Sequence, residues 1–311
     1  MRSHQEFQKQ GGQGMIEVRN VTKSFDGFKA LDDLSINVPT GAIYGLVGPN
    51  GAGKSTIIRH ITGIFHQDTG KVLVNGKPVY ENPEIKKDIA YIPDDVFFFT
   101  QSTIKDMMKF YKGVCPNFSV ERFDKLRIAF DLNENAKMRS LSKGMQKQAA
   151  FWLMVSMCPK VLVLDEPVDG LDPVMRRQVW SILMADVAEY GTTVLVSSHN
   201  LRELEDVCDH VGIMNRGKLL LERNLSDLQD NIAKVQLALP DGKTLPESLK
   251  ILHQSTTGRL QTIIVRGKSE EITNKLATCE PLFMDVVPLS LEEIFIYELG
   301  GEHYEVKDII L

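Results

Sequence analysis

Residues Gly48-Pro49-Asn50-Gly51-Ala52-Gly53-Lys54-Ser55-Thr56 follow the pattern G-x-x-x-x-G-K-[ST], and their setting decides the fold. The apolar run Ala42–Val47 ahead of them reads as a strand buried on both faces of an α/β sheet. Ile57, Ile58 and Ile61 behind them share one helical face. Glycines let backbone N–H groups turn inward around phosphate oxygens, in dihedrals that a side chain disfavours. A helix N-terminus adds the positive end of its dipole. Lys54 carries a point charge to the β- and γ-phosphates, and Ser55 offers a hydroxyl to Mg²⁺. Gly48, Asn50, Gly51, Gly53 and Thr56 complete the nucleotide-binding candidates.

Two further runs read as core strands. Val161–Leu164 ends in Asp165-Glu166-Pro167, and Val194–Val196 leads through Ser197-Ser198 to His199. Ligands bind at the carboxyl ends of strands in open α/β sheets. Asp165 is then placed to support Mg²⁺, and Glu166 to take a proton from water. The plain alternative for two such acids is a solvated loop or helix start. His199 reaches the same edge and can offer Nε2 to a γ-phosphate; Asn200 with Glu203 reads as a helix cap behind it.

Outward from this centre, Ile16, Val18 and Val21 begin a strand, Asp26-Gly27 is a turn, and Leu34, Ile36 and Val38 alternate as a half-buried strand does. Ile89–Ile92 reads as another strand. Residues from about 95 to 158 have helical spacing and form a helical subdomain. Asn215-Arg216-Gly217 reads as a hairpin turn. The main domain is placed at 15–225. Residues 226–311 form a small α+β accessory domain: strands at Val235–Leu239 and Leu260–Val265 with a turn at Asp241-Gly242, a helix at Glu270–Ala277, and a capping box of Ser290 with Glu293 before Ile294, Phe295 and Tyr297. Residues 1–14, rich in Gln and Gly, read as a disordered lead-in.

Composition limits the function classes. The 311 residues are 43% hydrophobic and 25% charged, an ordinary globular balance. The net charge is −5, without the basic excess that nucleic-acid partners call for, so none is expected. Cys115, Cys158, Cys208 and Cys279 show no zinc-ligand spacing. The longest apolar stretch, Ala149–Cys158, is about half a membrane span.

Between the phosphate loop and the acidic strand lies Leu141-Ser142-Lys143-Gly144-Met145-Gln146. It resembles the signature segment of ATP-binding cassette (ABC) ATPases, with Lys143 where the family usually has glycine. Val168-Asp169-Gly170-Leu171-Asp172-Pro173 resembles the family's D-loop, and Thr193–His199 its switch-histidine strand. The resemblance covers roughly Met15–Leu221. It implies a P-loop NTPase core sheet with an antiparallel β-subdomain and a helical insertion. It implies ATP and Mg²⁺ as ligands, with Lys54, Glu166 and His199 acting in hydrolysis. A head-to-tail homodimer or heterodimer is implied, in which Ser142 and Gly144 meet the partner's ATP and Asp172 couples the two sites.

Phe25 stands where the family stacks an aromatic on adenine; its alternative is a strand-end core residue. Asp94 stands where the family usually has a Gln that contacts Mg²⁺ and the attacking water. Val96-Phe97-Phe98-Phe99 follows, where the family docks a helix of a membrane subunit. The departures at Lys143, Met145 and Asp94 are similar to those of separate-subunit bacterial exporters. The resemblance therefore implies an ATP-hydrolysing subunit driving an integral membrane permease, peripheral on the cytoplasmic face of the membrane. The rival is a cassette ATPase acting on ribosomes or DNA. A P-loop kinase is the more distant one.

Overall fold

The computed structural model describes residues 14–99, 101–225, 232–240 and 242–290, with Glu292, Glu293 and Tyr297. Apart from Gly14, the expected lead-in lies outside these residues, as do Asp241, Ile294 and Phe295. The chain divides into two compact units. One holds 14–199 and 210–222, and the other holds 200–209 and the residues from Arg223 on.

In the first unit, β1 (Ile16–Phe25) and β2 (Phe28–Val38) form a hairpin. Asp26 (φ 48°) and Gly27 (φ 85°) are both left-handed, as a two-residue hairpin turn needs. Next come β3 (Ile43–Val47), α1 (Lys54–Ile61), β4 (Thr69–Val74) and β5 (Lys77–Pro78). The β4–β5 hairpin is absent from the sequence reading. Its turn, Asn75-Gly76 (φ 49° and 71°), carries the strongest short hairpin signal there is. One sheet runs β2-β1-β4-β5. Its buried residues form a single core with Ile57, Ile58 and Ile61 of α1 and with Leu46, Val163 and Leu195 of the second sheet.

That second sheet takes shape from α2 (Pro83–Lys86) and β6 (Ile89–Ile92) onward, with α3 (Ile104–Val114), α4 (Val120–Phe130), α5 (Lys143–Val155), β7 (Val161–Asp165), α6 (Pro173–Tyr190), β8 (Thr193–Ser198), β9 (His210–Asn215) and β10 (Lys218–Asn224). Its order is β10-β9-β3-β8-β7-β6. β3 pairs in parallel with β8 and β9, and β7 with β6 and β8. Every residue of β3, β7 and β8 is buried, which is why these strands read as continuous apolar runs.

The register places the chemistry. Val47 lies opposite Ser198, Asp165 opposite Ser197, and Leu164 opposite Ile92. Gly48, Glu166, His199 and the Pro93-Asp94 turn therefore leave the sheet at one edge.

The segment from Phe97 to Cys158 carries α3, α4 and α5. Every residue of Lys147–Val155 on α5 is buried, so the longest apolar stretch of the sequence begins in a core helix. Trp152 stacks on Phe123 at 4.3 Å and donates its Nε1–H to the Phe123 carbonyl at 2.7 Å. Among the described residues no helix is long and apolar enough to cross a membrane.

In the second unit, β11 (Ile232–Ala238), β12 (Ile251–Thr257), β13 (Leu260–Arg266) and β14 (Phe283–Val287) form an antiparallel sheet ordered β12-β13-β11-β14. Val235, Leu237, Ile263 and Val265 pack with Ile272 and Leu276 of α7 (Ser269–Ala277). The reciprocal hydrogen bonds of Ser290 and Glu293 are present, at 3.0 and 3.2 Å. Asn200 accepts the N–H of Arg202 at 3.0 Å, but what it caps is a single 3₁₀ turn, Leu201–Glu203, and not the helix expected there.

Candidate nucleotide site

The loop from Gly48 to Gly53 joins β3 to α1. Gly53 has φ 103°, and a Cβ there would come within 2.8 Å of the Ala30 carbonyl oxygen. A Cβ on Gly48 would come within 2.3 Å of the Met214 carbonyl oxygen. Conformation and close approach together thus demand glycine at Gly53, and close approach alone demands it at Gly48. The loop lines a cavity of about 350 Å³, whose wall comprises Pro49–Thr56 with Phe28, Ala30, Asp94 and Glu166. A larger groove of about 580 Å³ runs past Asn75, Lys77, Glu84, Asn117 and Lys160. It has mixed charges and no glycine cradle.

Lys54 is buried. Its Nζ donates to the Gly48 carbonyl at 2.6 Å and lies 3.4 Å from Oε1 of Glu166. A buried ammonium needs such partners, and an arriving phosphate offers stronger ones.

Glu166 is held at every polar group. Its backbone is left-handed (φ 47°) although it is not glycine, a conformation that persists only where the surroundings over-determine it. Its N–H donates to Ser197 Oγ at 3.1 Å, and its carbonyl accepts from Lys147 Nζ at 2.9 Å. Oε2 lies 2.8 Å from His199 Nδ1 and accepts the His199 backbone N–H at 3.3 Å. With a neutral ring and an ionised Glu166, Nδ1 carries the hydrogen and Nε2 is an acceptor.

Asp165 is 3% exposed and accepts the Ser197 hydroxyl at 2.6 Å. It lies behind the cavity wall and does not line it. Burial, aided by the Asp165 charge, pushes the nearby Tyr91 phenol up to about 12, so this hydroxyl stays neutral. Asp94 is on the wall, exposed, and paired with Lys147 Nζ at 3.1 Å.

Lys54, Ser55, Asp94 and Glu166 therefore share one cavity with Asn50, Gly51, Gly53 and Thr56, while Gly48 is not on its wall and meets it through its carbonyl bond to Lys54. Asp165 and His199 are tied to it through Ser197 and Glu166. Phe25 is not on its wall: the ring packs on Phe65 at 5.5 Å with Lys23 Nζ at 5.4 Å. Phe28, its register partner across the turn, takes the place on the wall. Ser142, Gly144 and Asp172 do not line the cavity either. Ser142 caps α5 through the Met145 N–H at 3.2 Å. Asp172 caps α6 through the N–H groups of Val174 and Met175. A Cβ on Gly144 would lie 3.1 Å from the Gly170 carbonyl oxygen, so α5 begins against the loop before α6.

Sequence reasoning did not single out Phe28, Lys147 or Ser197. A charge set in the buried face of α5 was the signal for Lys147. A polar residue closing a buried strand was the signal for Ser197.

The donors facing the cavity (Ser55, Asp94, Glu166) and behind it (Asp165) are all oxygens, the set that suits Mg²⁺. Among the described residues no three His, Cys, Asp or Glu side chains form a ready metal cluster. A protein that supplies only part of the shell and leaves the rest to phosphate and water fits that observation.

A sequence profile of the ABC transporter family matches residues 31–169. The chain is 32% identical over 291 residues to the ABC transporter ATP-binding protein YtrB of Bacillus subtilis (strain 168), covering 93% of this chain and 99% of YtrB. It is 31% identical over 247 residues to the daunorubicin/doxorubicin resistance ATP-binding protein DrrA of Streptomyces peucetius, covering 76% and 74% respectively. A solved ATP-binding subunit of an ABC transporter superposes with a TM-score of 0.65 at 26% identity, covering 69% of this chain and 92% of the other.

Proposed function

The chain belongs to the ABC transporter ATP-binding proteins, and from that premise we propose that it is the ATP-hydrolysing subunit of a bacterial exporter, driving a separate integral membrane permease. The observation that carries the reading is the convergence of Lys54, Glu166 and His199 at one sheet edge. Oε1 of Glu166 is 3.4 Å from the lysine that would bind phosphate, and Oε2 is 2.8 Å from the histidine that would sense it.

ATP entering the cavity brings anionic oxygens to Lys54, which exchanges the Gly48 carbonyl and Glu166 for them. Glu166 is then free to orient the attacking water and take its proton. His199 turns from Glu166 so that a ring N–H reaches the γ-phosphate. Mg²⁺, when bound, neutralises phosphate charge; Ser55 would hold it, Asp165 would support it from behind through its shell, and Asp94 would add a carboxylate from the cavity wall. The rest is positioning, which is most of what phosphoryl transfer requires.

Ser142 and Gly144 do not line this cavity; they stand at the start of a helix whose N-terminus suits an anion. That placement supports a head-to-tail dimer in which they meet the partner's nucleotide, with Asp172 between the two sites. Export is supported by the likeness to DrrA and by the departures at Lys143, Met145 and Asp94. The work takes place at the cytoplasmic face of the membrane.

The test is Glu166→Gln. It should still bind ATP, while hydrolysis falls by about a hundredfold or more. Near-normal turnover would refute the base assignment.

A further inference from the structure

The reaction as described leaves Lys147 without a task. It stands in the first turns of α5 with a side chain only 9% exposed. A buried ammonium is destabilising unless paired, and this one is paired twice, each time with a residue of the cavity wall. Nζ donates to Asp94 Oδ1 at 3.1 Å and to the Glu166 carbonyl at 2.9 Å.

The two contacts do different things. Asp94 is a carboxylate on the wall of a cavity built for phosphates, where an unbalanced negative charge opposes binding. Lys147 supplies the balancing charge. Glu166 sits in a strained left-handed backbone, pinned at its N–H by Ser197 and at its carbonyl by Lys147. Without Lys147 the Glu166 carbonyl would lose this donor, leaving Ser197 as the contact that holds its peptide.

We propose that Lys147 is a positioning residue of this site. It cancels the charge of Asp94 against incoming phosphates, and it fixes the backbone of Glu166 so that its carboxylate stays at the cavity. The proposal rests on the reading of this cavity as the ATP site. Lys147 and Asp94 then work as a matched pair, and substituting one alone changes the charge that ATP meets.

The experiment uses the full chain as wild type, Lys147→Met, Asp94→Asn and the double variant. Binding of ATP in EDTA is measured by calorimetry, turnover is measured with Mg²⁺, and melting curves check folding. Lys147→Met should weaken Mg²⁺-free ATP binding about three- to tenfold, the reach of one charge through partly wet surroundings. Asp94→Asn should tighten it by a similar factor. The double variant should return to within about twofold of wild type in binding, because the charges again balance. Its turnover should stay low, because the Glu166 carbonyl still lacks its donor. A general packing defect would lower both readouts and would not be rescued by Asn at position 94.

The proposal is overturned if the double variant binds no better than Lys147→Met, or if its turnover recovers with its binding. If Lys147→Met does not fold, Asp94→Asn decides alone, and unchanged affinity there overturns the proposal. A folded wild type that binds no ATP overturns the ATP-site reading and this proposal with it. Normal wild-type binding without the charge coupling overturns only the role of Lys147.

Discussion

The hydroxyl of Ser197 donates to Oδ1 of Asp165 across 2.6 Å, where both residues are sealed from solvent. Ser197 Oγ in turn accepts the N–H of Glu166 at 3.1 Å. One hydroxyl at the end of β8 thus fixes both acids at the end of β7, which is possible because the register sets Ser197 opposite Asp165. Ser197→Ala would leave a buried carboxylate and a partly buried N–H each short of a partner. It should cost about 1–3 kcal/mol of stability and reduce ATP turnover. Denaturant titration of the nucleotide-free protein measures the first, with Ser181→Ala on the exposed side of α6 as control. Equal midpoints for the two variants would remove Ser197 from the site.

The turn between β1 and β2 offers two aromatic rings, and they differ in surroundings. Phe25 is braced by Phe65, whereas Phe28 is 68% exposed and on the cavity wall. A ring that stacks on a base contributes about 1–3 kcal/mol. Phe28→Ala should therefore weaken ATP binding about thirtyfold, the middle of that range. Phe25→Ala should act mainly on stability. Binding titrations of both variants decide; a larger affinity loss at Phe25 would return the stacking role to it.

What could be read in the sequence follows from burial. β3, β7 and β8 are covered on both faces, so their composition alone marks them, and each leads directly into a motif with recognisable chemistry. The antiparallel edge strands behave otherwise. β12, mostly exposed, is Ile-Leu-His-Gln-Ser-Thr-Thr, and β14 has no buried residue. With no buried face there is no alternation to read. The site shows the same division. Lys54, Asp165, Glu166 and His199 stand in local motifs. Lys147 joins Asp94 across 53 positions, and Ser197 joins Asp165 across 32. Only the parallel register and the packing of α5 bring those pairs together.

In the aromatic run after Asp94, Phe97 and Phe99 are uncovered while Phe98 is partly buried. Phe97 is 82% exposed and Phe99 52%, and Phe99 meets Phe110 edge-on at 5.2 Å. Exposed apolar residues that touch little contribute little to folding, so Phe97→Ser should change stability by no more than about 0.5 kcal/mol. An interface anchor behaves differently, and its loss costs about 2 kcal/mol or more of binding. If this run docks the permease, Phe97→Ser should keep the ATPase activity of the isolated subunit while its recovery with native membrane vesicles falls at least about tenfold. Full recovery on the vesicles would leave the run without that role.

His60 is a buried titratable ring one helical turn beyond Thr56 of the nucleotide loop. It is 1% exposed, its Nδ1–H donates to the Thr56 carbonyl at 2.7 Å, and its Nε2 is buried without a partner. Burial pulls its pKa below the ordinary histidine value, outweighing the Thr56 carbonyl that favours the charged ring. The unfolded chain then binds this proton more readily than the folded one. The stability His60 contributes is complete above the ordinary value of about 6.5 and is lost as pH falls through the depressed folded value. His60→Gln removes the titration and keeps a donor for Thr56. Between about pH 7 and pH 5 the wild type should lose more stability than His60→Gln, the two slopes differing by up to one proton. Because Thr56 is on the cavity wall, the wild-type affinity for ATP should fall more steeply with acid as well. Parallel pH profiles for the two proteins would show that His60 titrates as it does in the unfolded chain, and that its burial does not govern the loop.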